Sequence, residues 1–301
     1  SGLKAIMLAA GSVMLGDSQI VIAGGMENMS MVPYYLPKAR FGYRMGTGEV
    51  IDGMVFDGLW DPYDNIHMGL IAEQIAEEFN ITRKEQDDYA IRSYRLAQKA
   101  EEELFRDEII PITVKQKKKE VTIDKDEDPF RVNFEKIPSL KGAFKSDGTV
   151  TAANASTISD GAAIAVVAGE EAVEKHNLKP LARIVAYATN SMKPSQFPLA
   201  PIGAIQKVVS KANLTIDDIG LFEINEAFAV VVLAAIKQLN LDIEKVNVNG
   251  GAISIGHPIG ASGGRLAATL AKEMQRRDVK YGIATLCIGG GEAVAVLLEK
   301  V

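Results

Sequence analysis

Three short runs in this 301-residue chain set reactive side chains beside glycine or acid: Asn225-Glu226-Ala227-Phe228, Gly256-His257-Pro258-Ile259-Gly260 and Cys287-Ile288-Gly289-Gly290-Gly291. Cys287 is the only cysteine and His257 one of three histidines. The N–H groups of three successive glycines can form an anion-binding nest. Beside such a nest a thiol pKa should fall below its ordinary ~8.5, making a thiolate available as a base. Each run also has an ordinary reading. Asn225 and Glu226 would cap the apolar helix that follows them. His257 could be a structural imidazole bonded to a loop carbonyl, and a free cysteine is often a small buried hydrophobe. Flanking glycines, which let backbone approach a ligand closely, favour a functional His257.

The elements around these runs explain why they could meet. The strand 219–224 precedes Asn225, a strand and glycine-rich loop precede His257, and the strand 281–286 precedes Cys287. In layered α/β proteins ligands lie beyond the carboxyl ends of strands. The segment 2–14 has helical spacing, and 19–23 reads as a short buried strand stopped by Gly24-Gly25. Ser-Gly, helix, strand and glycine turn recur from Ser262-Gly263 to Glu292, which reads as an internal duplication. A strand and loop lead into the second copy but nothing precedes Ser1, so the chain is expected to begin partway through a unit, with its N-terminal strands short of neighbours. Helices are expected at 66–79 and 83–105, and a hairpin at 112–123 whose turn holds Lys117-Lys118-Lys119. Nearby Asp124, Asp126, Glu127 and Asp128 make that a charge-balanced surface, not a phosphate site. A buried strand is expected at 161–169 and another from 181, after which strand and helix alternate in an α/β layered fold.

Hydrophobic residues make up 47% and charged residues 24%, ordinary for a globular chain of about two domains. A net charge of -6 argues against nucleic acid. No run reaches the ~18 apolar residues of a membrane span. A single cysteine excludes an internal disulfide and fits a reducing, cytoplasmic setting.

In their order and spacing the NEAF, GHP and C-x-G runs resemble those of the thiolases. The resemblance extends to the opening Ser-Gly-Leu-Lys-Ala-Ile, the Ala-Gly-Gly-Met-Glu-Asn-Met-Ser segment and the run Gly148-Thr-Val-Thr-Ala-Ala-Asn-Ala-Ser156, so it spans essentially the whole chain. It implies two duplicated α/β/α core units with an inserted loop domain: 1–28 with 157–178, 29–156 as the loop domain, and 179–301. It also implies Claisen condensation or thiolysis of acyl-CoA, with acetyl-CoA and acetoacetyl-CoA as the short-chain pair. Cys287 then matches the acid/base thiol, His257 the imidazole that activates a nucleophile and helps hold a thioester oxyanion, Asn225 the amide that fixes a water in the same hole, and the Gly289 N–H one donor of a second oxyanion hole. The family's acyl-carrying cysteine stands in a Cys-x-Ser motif whose serine would be Ser1, so it would lie before the chain, and the fragment alone should not transfer acyl groups.

Positions matching those that hold coenzyme A are His67, Met68, Ala143, Phe144, Ala152, Ser156, Phe197, Ala227 and Phe228. His67-Met68 and the bulky Phe197 point to a short acyl group; a β-oxidation thiolase for longer 3-ketoacyl-CoA and a non-catalytic remnant are the alternatives. The resemblance implies no cofactor beyond coenzyme A thioesters. Potassium would find carbonyl ligands in the Ala152–Ala155 run, but the tyrosine that accompanies it in the family has no counterpart near Phe130. Residues 32–46, rich in aromatics, match where family members form dimers or tetramers, so a homo-oligomer is expected.

Overall fold

The computed structural model describes residues 1–116 and 119–301. Helix α1 (Gly2–Met14) leads into β1 (Ile20–Asn28). Two short ladders follow, β2 (Tyr34–Tyr35) with β3 (Ile51–Asp52), and β4 (Trp60–Asp61) with β5 (Ile66–His67). Helices α2 (Met68–Glu78) and α3 (Arg83–Glu103) come next, and then the hairpin β6 (Ile112–Gln116) and β7 (Lys119–Ile123). Lys117 and Lys118 of the expected turn lie outside the described residues. The core resumes with β8 (Asp160–Ala168), α4 (Glu170–Lys175), β9 (Ala182–Ser191) and α5 (Ala200–Lys211). It ends with β10 (Leu221–Ile224), α6 (Ala229–Leu239), α7 (Ala252–Ile255), α8 (Ile259–Arg277), β11 (Tyr281–Ile288) and β12 (Glu292–Lys300). Among the described residues no helix is long and apolar enough to cross a membrane.

Four strands form one sheet in the order β10-β11-β12-β9, with β10 parallel to β11 and the other pairs antiparallel. A second sheet is only β1 against β8, antiparallel. Helices α1 and α8 pack on each other between the two sheets, α5 covers the outer side of the larger one, and α6 shares an apolar cluster with that same side. Leu3, Leu266, Leu270 and Met274 fill the inner layer with Leu286, Val294 and Val296. The two halves echo each other: the strand after each Ser-Gly helix pairs antiparallel with the next strand of its core. That is the duplicated α/β arrangement.

Several local expectations need correcting. Gly24-Gly25 does not stop β1; the strand runs on to Asn28. The Gly260 carbonyl of α8 presses on the position a Gly25 Cβ would take, so this glycine serves a close backbone crossing and not a turn. Neither β1 nor β8 is buried on both faces: Ile22, Met26, Ile164 and Val166 are 61–73% exposed on one side. The two strands are nonetheless each other's neighbours, contrary to the expectation that they would lack partners. Helix α2 starts at Met68 and not at 66, because Ile66–His67 pairs with Trp60–Asp61.

Candidate active site

Strand β10 ends opposite Thr285, and the Asn225 N–H still reaches the Thr285 carbonyl at 3.0 Å. Strand β11 continues past that point, so Cys287 is paired on one side only, with Ala293 of β12. A notch opens where the shorter strand stops. Parallel neighbours lie about 4.8 Å apart, so Asn225 and Cys287 stand at the same carboxyl end of adjacent strands.

Asn225 does not cap the following helix. Helix α6 begins at Ala229 with Phe228 in the cap position. The fully buried Asn225 amide turns instead to His257, with Nδ2 3.1 Å from Nε2. His257 Nδ1 lies 2.6 Å from Ser262 Oγ, so its partner is a hydroxyl on α8 and not a loop carbonyl. Its own N–H donates to the Thr157 carbonyl at 3.2 Å, which anchors the loop to the segment after Ser156. Among the described residues Asn225 Oδ1 has no hydrogen-bond partner, although it is buried.

Burial holds the His257 pKa down at about 4, with the Arg265 guanidinium adding to the effect. His257 as a whole residue is half-buried, while its ring is enclosed by protein. The imidazole is therefore neutral near pH 7 and can act as a base. The expectation for Cys287 is overturned. Burial pushes its thiol up to about 12, and the one opposing hydrogen bond comes from its own backbone N–H. The side chain sits in the apolar cluster with Ala293, Phe197 and Phe228, so desolvation outweighs the glycines beyond it. At neutral pH the thiol holds its proton. Its thiolate, about 7 kcal/mol uphill at pH 7 by the five-unit gap, is a correspondingly strong base once formed.

The positions matched to coenzyme A contact divide into groups. His67 stacks on Phe144 with ring centroids 4.6 Å apart, and Phe144 and Phe197 each meet Phe228, at 6.2 and 6.5 Å. Met68 reaches Gly289, where an added Cβ would lie 2.8 Å from its terminal methyl. Ala227 accepts from the Ser156 N–H at 3.1 Å, while the Ala143 N–H donates to Val150, at 2.8 Å. Phe197, Ala227, Phe228 and Cys287 share one apolar cluster, with Met68 and Phe144 packed on it. Ala152 is exposed and makes none of these contacts. His67 also serves the backbone, because its Nδ1 accepts from the Gly69 N–H at 3.0 Å and so caps α2. Burial lowers its pKa. No group of three His, Cys, Asp or Glu among the described residues is placed to hold a metal ion.

Residues 1–171 match the family described as thiolase, N-terminal domain, and residues 178–300 the thiolase, C-terminal domain. The chain belongs to the thiolase family. The acetyl-CoA acetyltransferase of Cupriavidus necator is 48% identical over 303 residues, covering 100% of this chain and 77% of that protein. The mitochondrial acetyl-CoA acetyltransferase of Bos taurus is also 48% identical, over 100% of this chain and 71% of its own length. Among solved structures, the Bacillus anthracis acetyl-CoA acetyltransferase superposes with a TM-score of 0.97 at 47% identity, over 100% of this chain and 77% of that one. Human mitochondrial 3-ketoacyl-CoA thiolase superposes with a TM-score of 0.96 at 41% identity and the same coverage. The thiolase fold is therefore shared across acyl-chain preferences, and likeness alone does not separate them.

Ser262, Tyr89, Ser93 and Asn247, which lie around the strand end that carries Asn225 and the loop that carries His257, carry no signal in the sequence that singles them out. Their neighbour Glu226 does have one, as a charged residue between a buried strand and a largely apolar helix.

Proposed function

We propose that the chain carries thiolase chemistry on short acyl-CoA thioesters, two acetyl-CoA giving acetoacetyl-CoA and CoA. The contact between Asn225 and His257, beside Cys287 at the open end of β11, is the observation that carries this reading. Cys287 exchanges a proton with the α-carbon. In thiolysis its thiol donates to the departing carbanion; in condensation its thiolate removes the α-proton. The enolate oxygen is held by the imidazole, once Nε2 has taken up a proton, and by the water that Asn225 fixes, while the Gly289 N–H is a donor of the second oxyanion hole. Each such donor contributes ~3 kcal/mol in comparable oxyanion holes. Cys287 is the only thiol of the 301 residues, so the reading assigns them the proton-transfer half of the cycle.

The packing of Met68 over Gly289, and of Phe197 against Phe228 near Cys287, favours a short acyl group. The 3-ketoacyl-CoA thiolase likeness supports a longer one as the second reading. Association with further copies through 32–46 belongs to the proposal too, since Phe41 and Met45 stand almost wholly in solvent.

The test is deuterium uptake at the α-carbon of acetyl-CoA in heavy water, followed by mass. Wild-type protein should exchange the methyl protons, and Cys287→Ala should fall to the buffer rate. Exchange by that variant at the wild-type rate would overturn the assignment. Faster exchange of decanoyl-CoA than of acetyl-CoA would favour the second reading.

A further inference from the structure

Glu226 follows Asn225 in the chain, is fully buried, and has no part in the chemistry above. Burying a carboxylate is costly unless hydrogen bonds compensate it. Here four donors converge. Oε1 accepts from the Tyr89 hydroxyl at 2.7 Å and from Asn247 Nδ2 at 3.0 Å. Oε2 accepts from the Ser93 hydroxyl at 2.7 Å and from the Ile253 N–H at 3.1 Å. Tyr89 and Ser93 lie on α3, Asn247 beyond α6, and Ile253 on α7, one turn before His257.

The partners are themselves tied to the two catalytic arms. Asn247 clamps the end of β10, accepting from the Ile224 N–H at 2.8 Å and donating to the Ile224 carbonyl at 2.7 Å. Ser93 accepts from the Gly251 N–H at 3.1 Å. The loop passes so closely over the carboxylate that a Cβ at Gly251 would lie 2.6 Å from Glu226 Cδ. The network therefore straddles the strand end that carries Asn225 and the loop that carries His257, and fastens both to α3.

We propose that Glu226 is a positioning residue that sets the Asn225–His257 contact by tying both arms to one carboxylate. The proposal deepens the thiolase reading and rests on it for its catalytic consequence. A glutamine in place of Glu226 keeps the shape but turns an amide N–H toward either Asn247 Nδ2 or the Ile253 N–H. Tyrosine and serine hydroxyls can rotate to become acceptors; those two donors cannot. One arm must shift in either orientation.

Glu226→Gln is compared with wild type through the imidazole NMR signals of the three histidines, assigned with His67→Asn and His176→Asn, with the melting curve as a folding control. Expected are displaced His257 signals with unmoved His67 and His176, and acetyl-CoA exchange lowered about tenfold or more in kcat at nearly unchanged KM, as expected of misplaced but intact groups. Tyr89→Phe removes one donor without creating a mispairing, and should move the His257 signals less, in the same direction; it decides the matter if the glutamine variant does not fold. Unmoved His257 signals in a cooperatively folded variant, or a change in KM alone, would overturn the proposal. A wild-type protein that exchanges no protons would count against the thiolase reading, while the His257 spectra would still decide the positioning role.

Discussion

The buried thiol gives the sharpest quantitative expectation. Cys287 is the only cysteine, so a mass increment after iodoacetamide treatment reports on it alone. With its pKa raised from 9.0 to about 12, the thiolate fraction at a given pH below 9 is about a thousandfold lower than for an ordinary thiol. A more basic thiolate is also a better nucleophile. With a Brønsted slope of about 0.45 that recovers roughly twentyfold. The net slowing is then on the order of fiftyfold, before the cover of Phe197 and Phe228 is counted. Since cover alone could slow the reaction, the diagnostic is the shape of the pH profile. The rate constant should climb about tenfold per pH unit up to roughly pH 10 without levelling, whereas the same chain in urea should level near pH 8.5. A plateau below about pH 9.5 in the folded protein would refute the claim that burial dominates over the glycine turn. The same shift has a stability signature. The unfolded thiol ionises first, so this contribution is intact below about pH 8.5 and is lost by ~1.4 kcal/mol per unit as pH rises toward 12.

Other expectations follow from the same geometry. His257, held at about 4, should not titrate by NMR between pH 5.5 and 8. Its folded pKa lies below the unfolded ~6.5, so its contribution is present above pH 6.5 and is lost as pH falls toward 4, by up to ~3 kcal/mol for a fully enclosed ring; urea melts at pH 7 and pH 4.5, in wild type and His257→Asn, measure it. Gly251→Ala drives a methyl into the Glu226 carboxylate and should destabilise by ~1–3 kcal/mol in the same melts; an unchanged midpoint would show that the loop can lift away. Phe197→Ala, deleting a buried ring against Phe228, should lose ~3–5 kcal/mol; a loss below about 1 kcal/mol would mean that the site repacks.

Elements with a clear local period are legible in the sequence. Helix α1 matches its expected 2–14 span because Ala, Leu and Met recur at helical spacing and the opening glycine marks its start. The α/β order and the strands that carry Asn225 and Cys287 are readable for the same reason, but the strand expected before His257 is not one: only isolated bridges at Val246 and Val248 and then α7 lead into that loop. What the sequence hides depends on chain segments far apart in it. Gly24-Gly25 looks like a stop until the Gly260 carbonyl is seen to occupy the space above the strand. Asn225 has the composition of a cap, yet its amide is claimed by an imidazole 32 residues away. Glycine neighbours suggest an acidic Cys287 thiol, while Phe197, Phe228 and Ala293 determine its surroundings. His67 reads equally as a ligand contact or as packing, and in the structure it caps a helix while stacking on Phe144.

The unequal lengths of β10 and β11 bear on how this protein can change. Cys287 has an open side only because β10 ends level with Thr285. Two more residues in extended pairing on β10 would lay backbone along that side and seal it, with no side chain of the site altered. Length variation should therefore be tolerated in the surface turns yet excluded between Ile224 and Ala229. An insertion scan would then map the notch as a gap in an otherwise permissive profile, and would locate the site from viable lengths alone.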